Sequence, residues 1–151
     1  MKTWKQIYTG GMLVLLLTGG ITKAYADEIV GIVLEKRYTP GKALQVFLDT
    51  DGTLGADTML QIHGVYNSGS ASMALDMAIG VGSEIRFEDF FATQMGRFRQ
   101  ISGRDVISID GDNVLDIVGL RYVSDYPFAL HEYNRQRELE AQQRRQGSVA
   151  Q

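Results

Sequence analysis

Residues 28–50 read EIVGIVLEKRYTPGKALQVFLDT, and their reading decides the fold. Glu28–Tyr38 is rich in Ile and Val, too branched and too short to favour a helix, so it is predicted as a strand. Thr39-Pro40-Gly41-Lys42 follows. Proline presets one backbone angle of a turn and glycine accepts the next, so four residues suffice to reverse the chain. Ala43–Thr50 is the returning strand. A connection this short can join only antiparallel neighbours, because a parallel crossover needs a dozen residues or more.

Working outward, Thr58–Tyr66 is a third strand candidate, followed by the small polar cluster Asn67–Ser70. Ser70–Ile79 has good helix formers with serines able to cap, and Met73, Leu75 and Met77 available for burial. Glu84–Glu88 alternates apolar and charged residues as a half-exposed strand does. Asp89–Ile101 places Phe91, Met95 and Phe98 at intervals of four and three, which predicts an amphipathic helix weakened by Gly96. Asp105–Ile109 and Val114–Val123 are predicted as two more strands about a turn at Asp110-Gly111-Asp112-Asn113. Val46, Leu48, Ile107 and Ile109 are expected in the core.

The ends differ from the middle. Lys2 and Lys5 precede an apolar stretch from Gly10 to Ile21, and Ala24-Tyr25-Ala26 offers small residues where a signal peptidase reads. About a dozen apolar residues fall short of the roughly 20 that a membrane-spanning helix needs. Residues 1–26 are therefore expected to be a cleaved signal peptide, which predicts an exported chain, periplasmic or secreted, with no stable membrane span after cleavage. Residues 27–126 form a single β-rich domain in this reading, and 127–151 a polar helical tail. Within the tail, Glu132–Gln146 carries one strongly apolar side chain, Leu139, and no continuous face to bury.

Composition narrows the chemistry. The chain of 151 residues has no cysteine, which excludes a disulfide scaffold, a thiolate metal site and a cysteine nucleophile. Lys and Arg number 15 against 18 Asp and Glu; without the leader's three lysines the balance is 12 against 18. A nucleic-acid partner needs a basic footprint, and this chain lacks one. Its two histidines, His63 and His131, are too few for a zinc site by themselves and sit in no local serine–histidine–acid set.

Val46–Leu54, VFLDTDGTL, runs an apolar strand into Asp-x-Asp-Gly-Thr, and Gly111-Asp112 precedes Asp116 downstream. These two stretches resemble the nucleophile and acidic metal motifs of the haloacid-dehalogenase (HAD) phosphohydrolases. The resemblance implies Asp49 as nucleophile, Asp51 as general acid/base, Ser68 at the phosphate, and magnesium held by Asp49, Asp51, Asp112 and Asp116. The same residues also read as hairpin turns, since Asp-Gly between apolar strands is a strong short-range reversal signal. Asp49, Asp51 and Asp57, or Asp110, Asp112 and Asp116, could offer oxygens to calcium, although neither cluster fits the helical calcium loop.

The expected architecture is α+β to mostly β: a small antiparallel barrel or curled sheet with one or two short helices and a C-terminal polar helix. The favoured function is a non-enzymatic exported module that binds a protein partner or joins an envelope assembly, with no cofactor. Its candidate contact residues are Phe87, Phe90 and Phe91, clustered in sequence, and Tyr133 and Leu139 on the tail. The reduced magnesium-dependent phosphohydrolase is the alternative.

Overall fold

A computed structural model describes residues 28–41 and 43–150. The expected leader and Lys42 lie outside the described residues. Eight strands follow in chain order: β1 (Glu28–Tyr38), β2 (Ala43–Asp49), β3 (Thr58–His63), β4 (Glu84–Glu88), β5 (Thr93–Met95), β6 (Phe98–Ser102), β7 (Val106–Ile109) and β8 (Asp112–Asn113). Helix α1 (Ala71–Ala78) lies between β3 and β4; α2 (Val114–Val118) and α3 (Pro127–Ala150) follow β8. Short 3-10 segments occupy Gly103–Asp105 and Leu120–Asp125. The fold is α+β and rich in strand.

The opening hairpin sits at the centre. β1 pairs antiparallel with β2 on one side and with β4 on the other, and the full order is β5-β6-β3-β2-β1-β4-β7-β8. Thr39 closes the first turn, its N–H donating to the Ala43 carbonyl and its hydroxyl accepting from the Ala43 N–H. A bulge between Val33 and Glu35 shifts the register against β2 and leaves Leu34 unpaired. The sheet is open rather than closed into a barrel. It is mixed rather than purely antiparallel, because β6 runs parallel to β3 after the long excursion through α1, β4 and β5.

Helix α1 begins where Ser70 accepts a hydrogen bond from the Met73 N–H through its side chain. It buries Leu75, with Ile79 just beyond its end, against Leu44, Val46, Leu48, Leu60, Ile85, Phe87, Val106, Ile109 and Leu115. Val46, Leu48, Ile107 and Ile109 are buried, as their strand alternation and apolar character require.

Two elements differ from the sequence expectation. Asp89–Ile101 is not a helix: β5 and β6 form a hairpin across Gly96-Arg97, in which Met95 pairs with Phe98. Gly96 adopts a φ of 61°, as the first position of such a tight turn demands. Spacings of four and three that would align a helical face are here spread over the turn after β4 (Phe91), β5 (Met95) and β6 (Phe98), and sheet pairing with β3 overrides the pattern. Val114–Val123 is not a strand. The Asn113 side chain accepts from the Leu115 N–H at 2.8 Å and carries α2 forward despite its β-branched residues.

The two Asp-Gly pairs also diverge. Asp110-Gly111 forms a two-residue turn with both φ angles positive, 51° and 88°, joining Ile109 directly to Asp112. Asp51-Gly52 lies inside a longer loop from Thr50 to Asp57 that joins β2 to β3. Finally, α3 starts as part of the core: Phe128, Ala129 and Glu132 are buried and Leu130 and Tyr133 half-buried, while nearly every described residue after Tyr133 is exposed. No helix among the described residues is long and apolar enough to cross a membrane.

Candidate binding surface

The turn after β4, closed by the Ala92 N–H donating to the Asp89 carbonyl, lifts Phe90 and Phe91 off the sheet. Their rings meet edge to face with centroids 4.8 Å apart, while 50% of Phe90 and 42% of Phe91 remain exposed. Phe91 continues inward to the buried Phe128 of α3, centroids 5.9 Å apart. The Arg104 guanidinium lies 3.8 Å from the Phe91 centroid, a cation–π contact at an open surface. Sequence reasoning missed Phe128 and Arg104. No local signal joins them to Phe91, because the docking of α3 and the β6–β7 connection bring them there.

The remaining candidates separate. Phe87, opposite Ile29 on β1, is fully buried and belongs to the core. Tyr133 packs partly against the core, and its hydroxyl accepts from Arg137 Nη1 at 3.1 Å. Leu139 is exposed six residues later. At 3.6 residues per turn, six positions place it about 120° around the axis from Tyr133, so the two share no face.

The acidic candidates form one cluster, with Asp110, Asp112 and Asp116 outside it. Carboxylate oxygens of Asp49, Asp51 and Asp57 all lie within 4.8 Å of one another. Hydrogen bonding within the loop accounts for this. Asp49 Oδ1 accepts from the N–H groups of Asp51 and Gly52, and Oδ2 from that of Leu54. Asp57 accepts from the Thr50 N–H and from the hydroxyls of Thr50 and Thr58. The Thr53 hydroxyl and N–H both donate to Asp51 and hold its carboxyl below the usual range.

Asp112 and Asp116 stand apart from this loop and are exposed. β1, β4 and β7 separate β2 from β8, which at strand spacing is about 19 Å along the sheet. β2 is antiparallel to both neighbours, whereas the resemblance implies acids gathered at the ends of parallel strands. Ser68 is exposed in the β3–α1 connection, outside the acidic cluster. The convergence of Asp49, Asp51, Asp112 and Asp116 on one magnesium is not formed.

His63 is exposed at the end of β3, its Nε2 3.2 Å from Gln61 Nε2, on the lip of a recess of about 440 Å³ that Ser70, Leu75, Ser102 and Tyr126 also line. Burial, with Asp125 nearby, pushes the Tyr126 hydroxyl up to about 12. No protein-family model, curated protein or solved structure matches the chain.

Proposed function

We propose that this chain is an exported, non-enzymatic module that binds a protein partner in an envelope-associated setting through Phe90 and Phe91. The observation that carries the reading is the pair itself: two aromatic rings packed edge to face and left about half exposed. Rigid aromatics at a surface supply large contact area at small entropic cost, and such residues dominate the energetics of protein interfaces. Arg104 on the Phe91 ring adds a cation at the edge of the same patch. The polar part of α3, with Leu139 exposed on it, is a further contact element for the same partner.

The test is co-purification of the tagged full chain from envelope fractions of its source cell. Wild type should retain a defined partner, and the Phe90→Ser/Phe91→Ser double variant should lose it while remaining folded, at a melting temperature lowered by the lost packing of Phe91 on Phe128. Retention of the same partner by the folded double variant would refute the aromatic pair as the contact. Export is checked separately: the exported chain should begin at Asp27.

A further inference from the structure

A second surface lies on the sheet face turned away from the core. An antiparallel sheet with one solvated face normally shows polar residues there. Leu44, Val46 and Leu48 of β2 point into the core, so the alternate Phe47 points outward. Met59 of β3, outside the core cluster, is nevertheless only 4% exposed. The Phe47 and Phe98 rings meet edge to face, 5.5 Å between centroids, across the face that Met59 shares. With the bulged Leu34 and with Met95 they line a recess of about 550 Å³, a volume ordinary for ligand sites, built from strands and turns alone.

Its rim carries two arginines, Arg37 and Arg97, and one acid, Glu35. The Arg37 guanidinium lies 5.0 Å from the Phe47 centroid and that of Arg97 lies 4.9 Å from the Phe98 centroid. Arg37 is paired with Glu35 at 2.8 Å. Among the described residues Arg97 forms no ion pair, so its charge is uncompensated on a chain whose formal net charge is -3. An apolar floor beside an uncompensated guanidinium complements an apolar side chain beside a carboxylate.

We infer that this recess docks a short segment of a partner protein in which a large apolar residue stands next to Asp or Glu. The apolar side chain seats on Phe47, Met59 and Phe98, and the carboxylate pairs with Arg97. This goes beyond the Phe90–Phe91 contact and does not rest on it, since different strands build the two surfaces.

The test uses the full chain to select from a displayed library of random 12-residue peptides, followed by affinity measurements on the synthesised winner. Enriched sequences should place Asp or Glu within two positions of a large apolar residue. Binding should weaken at least tenfold on Arg97→Glu and on Met95→Glu, both changes at exposed positions, and less steeply on Arg97→Gln. It should be unchanged on Val81→Ser, an exposed apolar site outside the recess. Replacing the peptide's acid by Lys should restore part of the affinity for Arg97→Glu. The inference is overturned by absence of enrichment over an unrelated protein, by winners without the acid, or by binding indifferent to Arg97→Glu and Met95→Glu. It is equally overturned if sedimentation shows a wild-type dimer that Met95→Glu separates, because the occupant is then a second copy.

Discussion

Arg135 grips Glu132 with two parallel hydrogen bonds, Nε to Oε1 at 2.8 Å and Nη2 to Oε2 at 2.6 Å, one helical turn apart on α3. Glu132 is only 7% exposed, and the positive charge of Arg86 on β4 also acts on it. Arg86 in turn is paired with Glu28 of β1, whose charge acts on Arg135. These four alternating charges tie the start of a polar helix to the middle of the sheet.

This network divides α3. Removal of residues 138–151 takes away only side chains beyond the network, so the melting temperature should stay within about 2 °C of wild type. Removal of 132–151 should lower it clearly. Hydrogen bonds and charge from Arg135 hold the Glu132 carboxyl below its usual range, so its contribution is present above the unfolded-state pKa and is lost as pH falls through the folded-state value. Glu132→Gln should therefore destabilise at pH 7 and converge on wild type in acid, as read by urea unfolding across pH. A constant difference at every pH would show that the charge is irrelevant.

Asp105 has the opposite sign. It is 1% exposed, its Oδ2 accepts from the Ser102 N–H and hydroxyl, and its Oδ1 has no partner. Burial raises its pKa. A raised carboxyl favours folding while protonated, so that stability is full below the unfolded-state pKa and is lost as pH rises through the folded-state value. Asp105→Asn removes this loss. Relative to wild type, the variant should gain stability on going from pH 4 to pH 8, and equal differences at both pH values would contradict the assignment.

Asp49 orders the β2–β3 loop by accepting from three backbone N–H groups. Asp49→Ala leaves them without an acceptor and should cost about 1–3 kcal/mol by denaturant unfolding. Magnesium added to wild type should leave the midpoint unmoved. A rise of several degrees that vanishes in Asp49→Ala would instead make the cluster a cation site.

In the sheet, Leu48→Ala and Ile109→Ala should each cost about 2–4 kcal/mol, since both side chains are buried in the core cluster. Gly111→Val should also destabilise, by about 1–3 kcal/mol, because a β-branched residue resists the φ of 88° that this turn requires. Unchanged unfolding midpoints would place these residues outside the structure described.

Read by itself, the sequence determined whatever depends on neighbours in the chain. Branched residues around Thr39-Pro40-Gly41-Lys42 specify the first hairpin, Asp110-Gly111 specifies another, and Ser70 marks the start of α1, because turns and caps are local chemistry. Tertiary structure decided the rest. Phe91, Met95 and Phe98 fit a helix in spacing, but β3 offers β6 a strand to pair with, and pairing outweighs a weak helical pattern broken by Gly96. Asp49, Asp51 and Asp112 look like one site in sequence, yet three strands stand between them, since sheet order is set by which faces can be buried together. The surfaces formed by Phe91 with Arg104, and by Phe47, Met59 and Phe98 beside Arg97, join residues from separate elements. Packing alone brings them together, and no spacing along the chain encodes that.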